Sequence, residues 1–369
     1  MTFMSAFGEG SSAFLIPIFA QSLGGSYVDI GMISAAQSLG FLSLAIIGGY
    51  FSDKMNRTHL IAAGLGLRAS AIVLLHWAST VFQIAVLRAI TGIGMAFFYP
   101  SNNTMASQIG SNKERIRVLS MISASLTAGL LLGPLVGGYL AELLGIRYLF
   151  LISASSMVVA ACISVFWIAP DYIQKKNPSG SLEDGFRIII RNFRTLAVIG
   201  IPLGSAAGIM IAIFPAYAHS LDLLPPAIGG LFVIYRVGWM TGSLTAKRIS
   251  SYGEQVSIIV PGVILIFSFL HLALITTWPL IALSLFGVGY SIGLLFPIML
   301  SMATKMPPSG RMGITIGAFE ALIAAGFTVG PTLSGPLAEY VWPSSPFLLA
   351  AFLGVVLVIT GTRRPPSSS

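Results

Sequence analysis

Residues 129–145 read GLLLGPLVGGYLAELLG, and residues 326–342 read GFTVGPTLSGPLAEYVW. At an offset of 197 the two strings share Gly129/Gly326, Gly133/Gly330, Pro134/Pro331, Gly138/Gly335, Leu140/Leu337, Ala141/Ala338 and Glu142/Glu339. The same offset brings Gly92 onto Gly289 and Pro100 onto Pro297, and an offset of 198 brings Pro17 onto Pro215 and Gly31 onto Gly229. A phrase written twice at one spacing, with companions elsewhere in the chain, marks an internal duplication.

Composition says what is duplicated. Only 9% of the 369 residues are charged and 55% are hydrophobic, against about 25% charged in a soluble globular chain. Charge clusters and turn residues cut the chain into twelve apolar segments. Each is near the ~20 residues that carry a helix across ~30 Å of hydrocarbon, and about twice the length of a membrane β-strand. The expected fold is therefore an all-α membrane protein with twelve transmembrane helices in two six-helix repeats. The expected division is an N-terminal half at 1–169, a linker at 170–192 and a C-terminal half at 193–369. The opening MTFMSAFGEG lacks a basic n-region, so the first apolar stretch reads as a retained span and not as a signal peptide.

The basic residues orient these spans. With the N-terminus in the cytoplasm, sixteen of the 20 Lys and Arg fall on the cytoplasmic side, Arg147 alone on the outer side, and Arg68, Arg88 and Arg236 inside spans. The net charge of +8 is thus a topology signal, and no nucleic-acid partner is expected. Localisation in the cell membrane, multi-pass, with both termini cytoplasmic, follows from the same count. The single cysteine, Cys162, excludes an internal disulfide and a Cys-based metal cluster. The four histidines are scattered, no phosphate-binding loop is present and no nucleophile–base arrangement appears. No metal, cofactor or enzymatic activity is expected.

Three motifs, in order and on successive spans, resemble those of the major facilitator superfamily, and the resemblance covers essentially the whole chain. The loop between spans 2 and 3, GGYFSDKMNRTH, is similar to the family's G-x-x-x-D-[RK]-x-G-[RK] motif, with Gly49, Asp53, Lys54 and Arg57 in register and Asn56 where Gly is usual. Span 4, LRAITGIGMAFF, is similar to R-x-x-x-G through Arg88 and Gly92. Span 5 matches G-x-x-x-G-P-x-x-G-G without a gap, a string associated with the family's proton-coupled antiporters.

Each motif also has a physical reading. Gly129, Gly133 and Gly137 form one bare stripe along span 5, and Gly326, Gly330 and Ser334 another along span 11. Such stripes let helices approach closely in lipid, while Pro134 and Pro331 remove a backbone hydrogen bond and bend the helix. Together with Gly138, these residues read either as plain tight packing or as a packed seam between the halves that pivots during transport. Asp53 reads either as a solvated loop carboxylate or, on the resemblance, as a cytoplasmic gate against the N-terminus of span 11. The corresponding stretch in the second half, GSLTAKRIS, has Ala246 instead of the acid.

Ionisable residues inside spans point to mechanism. They are Glu9, Arg68, Arg88, Arg236 and Glu320. On the resemblance, spans 1, 4, 7 and 10 line the cavity, which puts Glu9 and Arg88 forward as the proton-coupling pair. Each lies about eight residues from an end of its span, roughly 12 Å deep, leaving an axial gap of roughly 6 Å. Ser5, Glu9 and Ser12 share one face, as do Arg88, Thr91, Met95, Tyr99 and Asn102. Spans 7 and 10 offer no acid or base but supply Phe214, Tyr217, Tyr290, Phe296 and Met299 as an apolar, aromatic wall. Arg236 and Glu320 read as a second functional pair or as structural partners across the halves, and Arg68 as a packing or snorkelling residue. The leading expectation is a monomeric, proton-coupled antiporter that exports a small amphiphilic or drug-like compound by alternating access, with protons, substrate and the lipid bilayer as its partners. The alternatives are a symporter or facilitator for an anionic metabolite, and a non-transporting receptor or scaffold.

Overall fold

A computed structural model describes residues 1–107, 112–167, 194–275, 277–304 and 312–362. The linker expected at 170–192 lies outside them. Among the described residues, twelve helices are long and apolar enough to cross a membrane. They are α1 (Thr2–Ser22), α2 (Tyr27–Lys54), α3 (Arg57–Leu75), α4 (Val81–Ser107), α5 (Asn112–Leu144), α6 (Ile146–Trp167), α7 (Arg194–Ser220), α8 (Pro225–Ser250), α9 (Glu254–Leu274), α10 (Trp278–Thr304), α11 (Met312–Tyr340) and α12 (Ser345–Thr362). No strand occurs among the described residues. α1 is interrupted at Phe14, three residues before Pro17, which has no amide hydrogen for the carbonyl one turn back.

Helix ends follow local chemistry. Ser26 and Asp29 form a reciprocal capping box at the start of α2, satisfying two amides that a helix leaves open. Asn56, the departure from the family motif, is the N-cap of α3 and accepts the Thr58 amide at 3.0 Å. Arg57, nearly fully buried, donates its Nε to the Ser52 carbonyl at 2.9 Å and ties the two-residue turn together. On the opposite face, Arg147 donates to the His76 carbonyl at 2.8 Å and lies over the Phe19 ring. We call the side of Lys54 and Arg57 the basic face, and the side of Arg147 the bare face.

The packing repeats. α2 lies on α4 as α8 lies on α10; α1 on α5 as α7 on α11; α3 on α6 as α9 on α12; and α1 on α6 as α7 on α12. Between the two sets of six, α2 packs on α11 and α8 packs on α5, which is one pairing seen from either side of a pseudo-two-fold axis. α1 and α7 are the most enclosed helices, with 72% and 78% of their apolar windows buried, so they run through the middle. The main buried apolar cluster joins both sets and lies mainly toward the bare face, with Phe14 against Phe232 at 5.7 Å and Phe232 against Phe214 at 6.1 Å. The bare face is closed in this structure.

Candidate functional site

The site is assembled on α1. Glu9 sits mid-span, 21% exposed, and its Oε2 receives Arg68 Nη2 at 2.9 Å and the Tyr99 hydroxyl at 2.8 Å. Arg68 Nη1 also donates to Ser5 Oγ at 3.3 Å. Three helices, α1, α3 and α4, therefore meet on one carboxylate. Arg68 reaches it because α3 and α4 cross at glycines. A Cβ on Gly94 would lie 2.6 Å from Arg68 Cγ and 2.7 Å from the Gly64 carbonyl, so only a glycine lets the arginine stem cross α4. The guanidinium then lies 5.5 and 5.9 Å from the Phe98 and Tyr99 ring centroids, a cation–π arrangement. Ser12, expected on the same polar face, turns back onto the Gly8 carbonyl at 2.8 Å.

The structure places two arginines differently from the expectation. Arg68, expected to pack or snorkel, holds the carboxylate and is 1% exposed. Arg88 instead donates Nη2 to Gln37 Oε1, and Gln37 Nε2 contacts Met95 Sδ at 3.0 Å. The cause is the tight α2–α4 crossing, where Gly92, one turn beyond Arg88, meets the Gln37 backbone carbonyl. Sequence reasoning missed Gln37 because it weighed only ionisable groups inside spans; a lone amide in an apolar helix was the available signal.

Arg236 lies on α8 and Glu320 on α11. The guanidinium of Arg236 lies 5.3 and 5.4 Å from the Tyr235 and Trp239 ring centroids. Arg236 thus rests on aromatic faces of its own helix, while the Glu9 carboxylate is held by Arg68 and Tyr99. Of the expected cavity residues, Met95 and Tyr99 touch the network, and Thr91 bonds its own helix at the Leu87 carbonyl. Asn102 is buried on the same helix. Phe296 lies between Trp239 and Phe319, at 6.0 and 5.6 Å, and Met299 is buried. Tyr290 accepts from Thr245 at 3.1 Å. Phe214 and Tyr217 do not line an open wall here. They are 0% and 5% exposed in the closed bare-face core, with Tyr217 against Phe347, because α7 is enclosed by α11, α12 and the end of α1.

Of the two readings of the glycine stripes, the contacts follow plain tight packing within each set. Gly129, Gly133 and Gly137 pack on Phe3, Phe7 and Ser11 of α1, and Gly326 and Gly330 on Ile201 and Ser205 of α7. These contacts lie within each set of six. The contacts between the sets come from residues about 100° further round: Gly138 on Pro225 and Pro226, and Gly335 on Tyr27 and Val28. They are completed by Gly229 on the Pro134 carbonyl and Gly31 on the Pro331 carbonyl. Four-residue spacing keeps one face, and α5 and α11 each have a different neighbour on the next face. At the expected gate, Gly49 is buried in α2 and Lys54 donates to the Tyr50 hydroxyl. The side chain of Asp53 lies outside the described residues.

Among the described residues, twelve helices long and apolar enough to cross a membrane, packed as two sets of six, have the architecture of a multi-pass membrane transporter. The chain belongs to the Major Facilitator Superfamily, whose sequence profile matches residues 1–321. It is 25% identical over 378 residues to an uncharacterised transporter of the same type from Methanocaldococcus jannaschii, covering 98% of this chain and 96% of that one. It is 26% identical over 354 residues to the multidrug resistance protein MdtG of Proteus mirabilis, covering 90% and 81%. Among solved structures it is similar in fold to a variant of the nucleoside transporter NupG, with a TM-score of 0.83, 17% identity and coverage of 98% and 97%. A bacterial Spinster homologue in an inward-facing, occupied state gives a TM-score of 0.76 at 13% identity, covering 98% and 93%.

Proposed function

We propose that the protein is a proton-coupled antiporter that exports a small amphiphilic compound from the cytoplasm by alternating access. The observation that carries this reading is the Glu9 carboxylate. It is a mid-membrane acid whose charge is held by Arg68 and Tyr99 at 2.9 and 2.8 Å and which stays partly accessible. A proton arriving on Glu9 cancels its half of the ion pair and releases Arg68, which gives the cluster two states that differ by one proton. The resemblance to MdtG supports efflux as the direction. The aromatic wall of Trp239 and Phe296 beside Arg236 supports an apolar substrate body. The six-helix halves at 1–169 and 193–369 are the moving bodies. The basic face is cytoplasmic in the cell membrane, Asp53 is its gate, and one monomer suffices.

The test is transport into proteoliposomes under an imposed pH gradient. Glu9→Gln is expected to abolish gradient-driven accumulation and to keep substrate exchange. If Glu9→Gln accumulates substrate as the wild type does, Glu9 is not the proton carrier.

A second reading, symport of an organic anion, is favoured by one observation. Arg88 and Arg236 come from opposite sets of helices, and each has a buried Nε without a hydrogen-bond acceptor. A guanidinium edge of this kind suits a carboxylate or phosphate. Linkage separates the two readings. An anion on Arg88 and Arg236 adds negative charge near the Glu9 carboxylate and favours its protonation, so it binds with a proton and travels with it. A substrate that displaces the proton exchanges with it. Accumulation on the side from which protons flow supports antiport; accumulation on the side to which they flow supports the anion symporter.

A further inference from the structure

We propose that Glu339 is a latch that reaches from the end of α11 to the start of α2 and holds the bare face shut, and that its repeat counterpart, Glu142, has no such role. The first amides of a helix have no partner within the helix. At α2, the Asp29 amide is taken by Ser26 Oγ at 3.2 Å and the Ser26 amide by Asp29 Oδ2 at 2.9 Å. Of the two other amides of this turn, Tyr27 and Val28, the first donates to Glu339 Oε2 at 2.8 Å. A carboxylate at this position is favoured by the helix dipole and by the charge-assisted bond. Gly335, one turn before Glu339, makes the approach possible: a Cβ there would lie 2.8 Å from the Tyr27 carbonyl and 2.9 Å from Val28 Cα. The Tyr27 hydroxyl also bonds Ser220 at the end of α7, at 3.4 Å. Tyr27 is therefore tied to two helices of the other set, and both ties must part if the bare face is to open.

The second arm repeats the backbone and omits the bond. Gly138 on α5 stands to α8 as Gly335 stands to α2, with a Cβ 2.7 Å from the Pro225 carbonyl and 2.9 Å from Pro226 Cα. At the repeat offset of 198, Tyr27 and Val28 correspond to Pro225 and Pro226. α8 opens on these two prolines, and its N-cap, Leu224, makes no side-chain capping bond. Proline has no amide hydrogen, so Glu142 has nothing to accept where Glu339 accepts Tyr27. One arm of the closed face is latched, and the other shows no equivalent bond among the described residues.

The latch rests on the reading that the two sets of helices move against each other, so the experiment reads motion and transport on the same proteins. Spin labels at Ser79 and Thr277, exposed on the bare face of each set, report the distance between them by pulsed electron resonance in nanodiscs, in a Cys162→Ser background. Glu339→Ala is expected to raise the long-distance, open population about five-fold, the scale of a carboxylate at a helix N-terminus. Glu339→Gln, which keeps the shape and an acceptor oxygen, is expected to give a smaller shift in the same direction. Glu142→Ala is expected to match the wild type. A Glu339→Ala distribution that matches the wild type, or equal shifts in Glu339→Ala and Glu142→Ala, overturns the latch. Failure of the wild type to transport in proteoliposomes overturns the transport reading instead, whatever the distances show.

Discussion

In the first six helices Gly10 lies on the ring of Pro134, and in the second six Gly208 lies on the ring of Pro331; a Cβ at either glycine would be 3.1 or 3.0 Å from the proline Cδ. Gly92 meets the Gln37 carbonyl as Gly289 meets the Tyr235 carbonyl. The backbones of the two sets cross at the same points. The side chains at those points differ. Glu9 corresponds to Ala207, Arg68 to Ile266, Arg88 to Leu285, Tyr99 to Phe296 and Gln37 to Tyr235. One set carries the acid and its partners; the other carries aliphatic and aromatic groups at the equivalent places and adds Arg236 and Glu320 from elsewhere. Helix crossings need small residues at fixed positions whatever the chemistry, so duplication preserved them. A charge in a membrane is costly in any position without a partner, so a network built once does not need a copy.

The largest effects should come from the shared crossings. Gly133 and Gly330 lie against the backbones of Ser11 and Ser205, with a Cβ 2.8 Å from Ser11 N in one case and 2.7 Å from Ser205 Cα in the other. Only backbone movement could admit a larger side chain, so Gly133→Leu and Gly330→Leu are each expected to lose the folded protein, by about 3 kcal/mol or more. Size-exclusion profiles and melting temperatures in detergent check this. If one variant stays monodisperse and stable while the other does not, the two crossings are not equivalent.

A smaller effect should separate the two sets. Arg68 has a carboxylate at 2.9 Å and is buried, whereas Arg236 lies on aromatic faces. Removing one partner of a buried ion pair leaves a charge stranded, at a cost of about 3–5 kcal/mol; partial exposure of Glu9 puts Arg68→Ala toward the lower end. Arg236→Ala forfeits cation–π contacts worth about 0.5–2 kcal/mol. Glu9→Gln in the Arg68→Ala background is expected to recover most of the loss, as a double-mutant cycle reads coupling directly. Additive losses would mean that Glu9 and Arg68 are neighbours without an energetic tie.

The contrast also marks what could be read from sequence. Repeats, spans and glycine crossings are periodic, and periodicity survives in one dimension, so α1 to α12 and the Gly-Pro pairs were legible. The partner of Glu9 was not. Depth along a helix axis places Glu9 and Arg88 within reach of each other, but it carries no information on which neighbour a helix turns toward. That choice was made by Gly64 and Gly94, which bring α3 against α4 and let Arg68 through. The direction of the glycine stripes escaped for the same reason. A stripe says that something packs closely, and only the arrangement of α5 between α1 and α8 says what.

The smallest expected effect is at Tyr99 and Phe296, which differ by one hydroxyl at equivalent places. The Tyr99 hydroxyl donates to Glu9 at 2.8 Å, while Phe296 sits among Trp239 and Phe319. Tyr99→Phe makes the two positions alike. It removes one of the two donors on the carboxylate and keeps the ring that Arg68 lies over. A hydrogen bond to a charged group contributes about 1.5–3 kcal/mol, and Arg68 remains to hold Glu9, so the loss should fall at or below the low end of that range. Proton-driven transport is expected to slow several-fold without being abolished, and substrate exchange, which needs no proton on Glu9, to stay near the wild-type rate. Phe296→Tyr is expected to leave coupling as it is, because the Phe296 ring packs on Trp239 and Phe319 and not on the Glu9 carboxylate. Equal losses of coupling in Tyr99→Phe and Phe296→Tyr would show that ring packing at both positions, and not the bond to Glu9, sets the rate, and the chemical difference between the two sets of helices would then carry no mechanistic weight at this point.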